Sequence, residues 1–219
     1  MDKTQATIMA YNNNAEAYAE KFMDYEPYAK HAAEFAKLLP VGASVLDVGC
    51  GPGNLAKQLS VAAKSIIITG IDLSTEMIEK ARKNVPSGKF YTQDSRNARF
   101  CNAHYNAVVL SFSIVHLCDT EAYQLLANAV NWLIPEGLMY LSFMEGKQAG
   151  FEETSFSKNP IYYNYFDGNE IEQFLIANGI AIFRTVRQDY VEPDGSITTD
   201  IFIFGKKGKC RFARKLTLA

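Results

Sequence analysis

Apolar positions along this chain change period from one stretch to the next. From Tyr11 to Leu39 they recur at helical spacing, with Tyr28, Ala32, Phe35 and Leu39 on one side. That predicts a helix, bent near Pro27 and stopped by Pro40-Val41-Gly42. Shorter apolar runs follow, of the kind that suits strands covered on both faces. They lie at Ser44–Val48, Ser65–Asp72, Lys89–Gln93, from Ala107 onward, and at Leu138–Phe143. Helical segments alternate with them, from Asn54 to Leu59, from a cap at Ser74 to about Asn84, and from Glu121 to Leu133, where Pro135-Glu136-Gly137 ends the pattern. Such alternation predicts a doubly wound α/β fold on a parallel sheet with right-handed crossovers.

The tail breaks the alternation. After a helix from Glu170 to Asn178, the runs Ile180–Tyr190 and Thr198–Phe204 flank Glu192-Pro193-Asp194-Gly195, a hairpin signal. The segment from Glu145 to Phe166 carries Phe151, Phe156, Tyr162, Tyr163, Tyr165 and Phe166. Aromatic density of that order suits a lid over a substrate, or the packing of a loop-rich insertion. The chain of 219 residues reads as one domain: a helical cap over 1–40, an α/β core over 41–207 with the aromatic insertion near 145–166, and a basic tail over 208–219.

Composition narrows the function classes. Lys+Arg 22 against Asp+Glu 24 gives a net charge of −2, without the basic excess of a general nucleic-acid surface. No apolar run reaches the roughly 20 residues that span a bilayer. The first ten residues lack the pattern of a secretion signal. Cys50, Cys101, Cys118 and Cys210 have no metal-ligand spacing and read as free thiols of a reducing cytoplasm. The three histidines, His31, His104 and His116, do not cluster, so a metal site is not expected.

Candidate chemistry begins at Val45-Leu46-Asp47-Val48-Gly49-Cys50-Gly51-Pro52-Gly53. A strand, a glycine turn and a helix in that order predict main-chain amides directed at one spot, as in nucleotide-binding sheets. The glycine spacing is G-x-G-x-G, not the dinucleotide G-x-G-x-x-G. Asp72 closes the second strand 19 positions after Gly53, where an acid can accept from ribose hydroxyls.

These residues, with Asp72-Leu73-Ser74-Thr75-Glu76-Met77-Ile78 after them, resemble the first two motifs of class I S-adenosylmethionine-dependent methyltransferases. The resemblance runs from about Tyr11 to Lys207. It implies a Rossmann-like, mostly parallel seven-stranded sheet with an antiparallel C-terminal hairpin, and S-adenosyl-L-methionine as cofactor. It places Gly49, Cys50 and Gly51 in the cofactor turn. Asp47 would stand near the cofactor's positive charges, and Asp72 would take its ribose hydroxyls. Leu73 and Met77 would lie against the adenine, although Met77 also suits the core of an amphipathic helix. Asp94 and Ser95, closing the third strand, would meet the adenine edge; Ser95 equally suits a cap. Tyr11 and Tyr18, seven residues apart on one helical face, would close over the methionine end.

Ser111 and Phe112 fall at the carboxyl end of the fourth strand, where an open parallel sheet lines its ligand crevice. His116 follows on the next loop and is either a general base or a structural imidazole. Together these positions predict in-line transfer of a methyl group to a small-molecule acceptor, with no membrane or nucleic-acid partner. The alternatives are an RNA or protein methyltransferase, an NAD-dependent oxidoreductase, and a non-catalytic module that binds the cofactor. The acceptor and the oligomeric state are not legible.

Overall fold

Strand β1 (Ser44–Val48) is an interior strand of the main sheet, and Val45, Leu46 and Val48 are wholly buried there. The computed structural model describes residues 2–63, 65–191 and 195–209. Helices α1 (Lys3–Asn13), α2 (Ala15–Phe22) and α3 (Glu26–Ala36) precede β1. The alternating part comprises α4 (Asn54–Ala62), β2 (Ile67–Asp72), α5 (Thr75–Asn84), β3 (Lys89–Thr92), β4 (Tyr105–Ser111), α6 (Asp119–Trp132) and β5 (Leu133–Glu145). A short 3-10 turn, Ile114–His116, joins β4 to α6. Beyond β5 come β6 (Gly150–Thr154), β7 (Ser157–Tyr163), α7 (Gly168–Ala177), β8 (Ile180–Val191) and β9 (Ile197–Lys207).

The seven-stranded sheet has the order β3-β2-β1-β4-β5-β9-β8. Its first five strands pair in parallel, and β9 runs antiparallel to both β5 and β8. This is the doubly wound, mostly parallel α/β sheet expected, with the antiparallel C-terminal hairpin at one edge. Successive residues of a strand face opposite sides. Leu46, Val48, Leu110 and Leu141 pack with Leu125 of α6 and Ile171 of α7. Val45, Val109, Tyr140 and Phe204 pack on the other face with Phe35 of α3, Leu59 of α4 and Ile78 of α5.

The local departures have clear causes. The N-terminal helix is three helices, not one. The first break is at Asn14, whose side-chain amide donates to the Ala10 carbonyl (2.8 Å) and so terminates α1. Pro27 does not bend a helix but sits in the first turn of α3, where a missing N–H costs nothing. Pro135-Glu136-Gly137 is a bulge inside β5, with Glu136 at φ 67° and the register shifted between Tyr105 and Ala107 on β4. The aromatic insertion forms a separate two-stranded antiparallel sheet of β6 and β7. Residues 192–194 of the expected hairpin turn and 210–219 of the basic tail lie outside the described residues.

Core and surface positions should respond differently to truncation. Leu46→Ala, in the buried centre of β1, is expected to cost about 2–5 kcal/mol in urea unfolding. Val61→Ala, on the exposed side of α4, is expected to stay within about 0.5 kcal/mol. A Leu46 loss no larger than that at Val61 would contradict the burial described.

Candidate functional site

The carboxyl ends of β1, β2, β3 and β4 border one cavity of about 870 Å³, its open mouth included. Gly49 and Gly51 of the first turn line it, at φ 71° and 51°. A methyl group on Gly49 would lie 2.4 Å from the Ser113 Cβ, so only glycine lets the two turns approach. At Gly51 the nearest atoms to such a methyl are 3.9 Å away, which leaves open space above the turn.

The amides of this turn are not directed outward as the sequence pattern predicts. The N–H groups of Gly49 and Cys50 both donate to the Ile71 carbonyl, at 2.8 and 2.9 Å. The Gly51 N–H donates to Asp72 Oδ2 (2.9 Å), and the Gly53 N–H to the Cys50 carbonyl (3.0 Å). A pyrophosphate needs such donors free. Their engagement disfavours a dinucleotide and suits a ligand without phosphate.

Two carboxylates, Asp72 and Asp94, stand in the polar lining. Asp72 accepts from Gly51 and, through Oδ1, from the Ser74 N–H (2.9 Å). Burial raises its pKa, and these backbone donors oppose the rise. Asp94 accepts a two-pronged contact from Arg96 (Nη2–Oδ2 2.7 Å, Nε–Oδ1 3.0 Å), which holds its carboxyl below the usual range. The same guanidinium donates to Glu121 and to Thr4, both at 3.1 Å. Ser74 caps α5 by accepting from the Met77 N–H, and its hydroxyl donates to Asn12 of α1 (2.6 Å). Ionic contacts on the two rims, Lys80–Glu16 and Lys57–Asp24, join α2 and the loop after it to α5 and α4.

Leu73, Met77, Asp94, Ser95, Ser111 and Phe112 also line this cavity, as do Tyr11 and Tyr18. The two tyrosine rings meet edge to face at 5.6 Å. Met77 is almost fully buried as well, so it borders the cavity from the core. His116 lies between this cavity and a second one, which also borders Tyr11, Tyr18, Ser111 and Phe112. Its Nδ1 is 2.9 Å from the Tyr162 carbonyl, which can only accept, so Nδ1 carries the proton. Nε2 therefore accepts from the Tyr11 hydroxyl (3.0 Å). Burial lowers the His116 pKa to about 4, so the ring is neutral near pH 7.

Two expected positions do not reach the cavity. Cys50 points into the core, its sulfur 3.0 Å from where a methyl on Gly70 would sit, and its N–H is taken by Ile71. Asp47 alternates with Leu46 and Val48, so its carboxylate turns toward the α3 and α4 side, beneath the turn. It is fully buried, and neither oxygen has a hydrogen-bond partner. Sequence reasoning missed Arg96, Thr4 and Thr7, which line the cavity through contacts that span the chain.

The two acids that line the cavity, Asp72 and Asp94, fit a cationic ligand, and the buried Asp47 carboxyl lies beneath the turn without reaching it. Burial, reinforced by the Asp72 charge, pushes the Asp47 carboxyl up to about 8. The folded protein then keeps a proton that the unfolded chain, with an ordinary carboxyl near pKa 4, has released. This contribution to stability is complete below about pH 4 and is lost as pH rises toward 8. Asp47→Asn should therefore flatten the decline in Tm of ligand-free protein between pH 5 and 8. At pH 8 its Tm should be higher by about 2–4 °C per kcal/mol recovered. An unchanged slope would remove Asp47 as its source.

Known proteins share both sequence and fold with this chain. A family model described as a methyltransferase domain matches residues 45–137, which hold the glycine turn, Asp72 and Asp94. A carboxy-S-adenosyl-L-methionine synthase of Campylobacter curvus is 26% identical over 177 residues, 78% of this chain and 73% of that protein. A trans-aconitate 2-methyltransferase of Escherichia coli is 36% identical over 95 residues, 43% of this chain and 36% of the relative. The chain spans about half or less of several curated relatives that it matches. Among solved structures, the magnesium protoporphyrin IX methyltransferase of Synechocystis, with S-adenosylmethionine bound, superposes with a TM-score of 0.69 at 17% identity. That likeness covers 95% of this chain and 98% of the other. The matched methyltransferase domain, the methyltransferase relatives and the superposed structures together support a class I S-adenosylmethionine-dependent methyltransferase.

Proposed function

We propose that this methyltransferase acts on a small-molecule acceptor, held in the second cavity beside the Tyr11, Tyr18 and His116 side chains. The observation that carries this reading is the roof. Helices α1 and α2 are bonded to the β6–β7 hairpin over both cavities: the Asn14 amide donates to Ser157 (3.0 Å), and the Tyr162 N–H to Thr7 (3.2 Å). Lys3 lies over the Tyr162 ring at 4.7 Å. A roof tied at several points favours an enclosed acceptor over a nucleic acid or a protein chain. The free thiols of Cys50, Cys101 and Cys118 suit a reducing, cytoplasmic setting.

In this reading the glycine turn, Asp72, Leu73, Met77, Asp94 and Ser95 hold the cofactor in the first cavity. When bound, S-adenosyl-L-methionine supplies an electrophilic methyl group with a good leaving group already attached. The chain's own task is alignment and the exclusion of water. Tyr11 and Tyr18 close the wall between the cavities, and Phe112, in the left-handed region at φ 50°, is held by Ser142 through its N–H. The Tyr11 hydroxyl donates to His116 Nε2, whose Nδ1 proton is anchored on the Tyr162 carbonyl. This leaves a neutral imidazole whose Nε2 accepts an acceptor proton once the Tyr11 hydroxyl turns aside.

Calorimetry with S-adenosylhomocysteine and NAD tests the cofactor site. The first should bind with micromolar affinity, and Asp72→Ala should weaken it by at least about tenfold. Saturable binding of NAD instead would overturn the reading. A screen with methyl-labelled cofactor over metabolites and total RNA tests the acceptor class, and label found only in RNA would sink the small-molecule reading. Once an acceptor is in hand, His116→Ala should slow single-turnover transfer by about 10²-fold or more while S-adenosylhomocysteine affinity holds. Unchanged rates would leave His116 a structural role.

A further inference from the structure

The second cavity, about 860 Å³ with its mouth, has an unusual wall. Aromatic rings make up much of it, and they touch one another. Tyr18 lies 4.8 Å from Phe22, and Phe22 stacks on Tyr28 at 6.3 Å and 3°. Tyr28 lies 4.9 Å from Phe112, and Phe156 stands 5.1 Å from Tyr18 and 5.8 Å from Tyr11. The ionisable lining is acidic: Glu152, Glu153 and Asp200 border the cavity, and no lysine or arginine does so among the described residues. Asp200 is buried and accepts from the Tyr28 hydroxyl (2.7 Å). Glu152 accepts from Tyr165 (2.8 Å).

Two lysines contact lining residues without lining the cavity themselves. Lys147 lies 3.5 Å from Glu152, and Lys21 donates to Ser155 and to Tyr190 (3.3 Å). Both are turned onto protein groups. His116, the remaining basic side chain of the lining, is neutral near pH 7. Ring faces carry partial negative charge, and a cation beside them is attracted without a full partner. An anionic acceptor would meet three carboxylates here and, beyond hydroxyl and amide groups such as those of Tyr18 and Asn54, would lack a charged donor fork. The trans-aconitate methyltransferase relative is named for a polycarboxylate, a type of ligand that this wall would repel.

We propose that the second cavity selects an organic cation, an acceptor with a protonated or quaternary nitrogen on an apolar or aromatic body. The inference rests on the reading of this cavity as the acceptor site. Its test is binding, not turnover. The full chain, saturated with S-adenosylhomocysteine, is titrated by calorimetry with three probes that share a phenylethyl frame: 2-phenylethylamine, 2-phenylethanol and 3-phenylpropionate. The amine should bind at least about tenfold more tightly than the acid, with the alcohol between them. Glu152→Gln with Glu153→Gln should shrink that gap by about threefold or more, and the exposed Glu153→Gln alone in the same direction. Equal or tighter binding of the acid, a gap untouched by these substitutions, or no saturable binding of any probe would overturn the proposal. S-adenosylhomocysteine binding on the same samples separates the outcomes, because its loss would strike the cofactor reading and not the selection of a cation.

Discussion

The Asp72 carboxylate is the contact on which the rest of the site depends. One oxygen takes the Gly51 N–H and the other the Ser74 N–H. These bonds join the turn after β1 to the turn after β2 and so set the floor of the first cavity. Buried acids of this kind are stable only when their lone pairs are met by donors. Ser74 then caps α5 and reaches Asn12, so the same anchor fixes where α1 crosses the cavity. Removing one carboxylate would disturb two turns, a helix start and the roof together.

Around that anchor, charge is sorted by depth. Asp47 is sealed below the turn without a partner, Asp72 is held by backbone donors, and Asp94 is matched by Arg96 nearer the rim. The effective dielectric rises toward the rim, so the same group costs progressively less to keep ionised. A positively charged ligand entering the cavity meets Asp72 and Asp94, while Asp47, its pKa raised to about 8, stays beneath the turn and out of its reach. His116 lies outside this gradient, in a neutral and aromatic setting between the two cavities.

Much of the fold was legible because its signals are local. A continuous apolar run such as Val45–Val48, a cap such as Ser74 and a glycine spacing each act within a few residues. The expected elements at β1, α5 and α7 match the structure within a residue or two. The failures come from contacts between distant segments. Helix α1 buries only Thr7 and Ala10, so no apolar stripe marks its start at Lys3. The β6–β7 hairpin carries Pro160 and few alternating apolar residues, and it is held by α1 and by its own rings. Arg96 looks like one more surface charge until Thr4 and Glu121 fold onto it. Cys50 reads as part of the turn, yet its side chain belongs to the space that Gly70 leaves open.

The inward-turned amides of the glycine turn bear on life in a crowded cell. Adenine nucleotides share the adenosyl half of the cofactor and are abundant, so they are natural competitors for this crevice. Each would have to bring a phosphate tail among carboxylates, where the nearest N–H groups already serve Ile71 and Asp72. Discrimination against them then needs no dedicated gate, because the framework that builds the crevice also makes it inhospitable to phosphates.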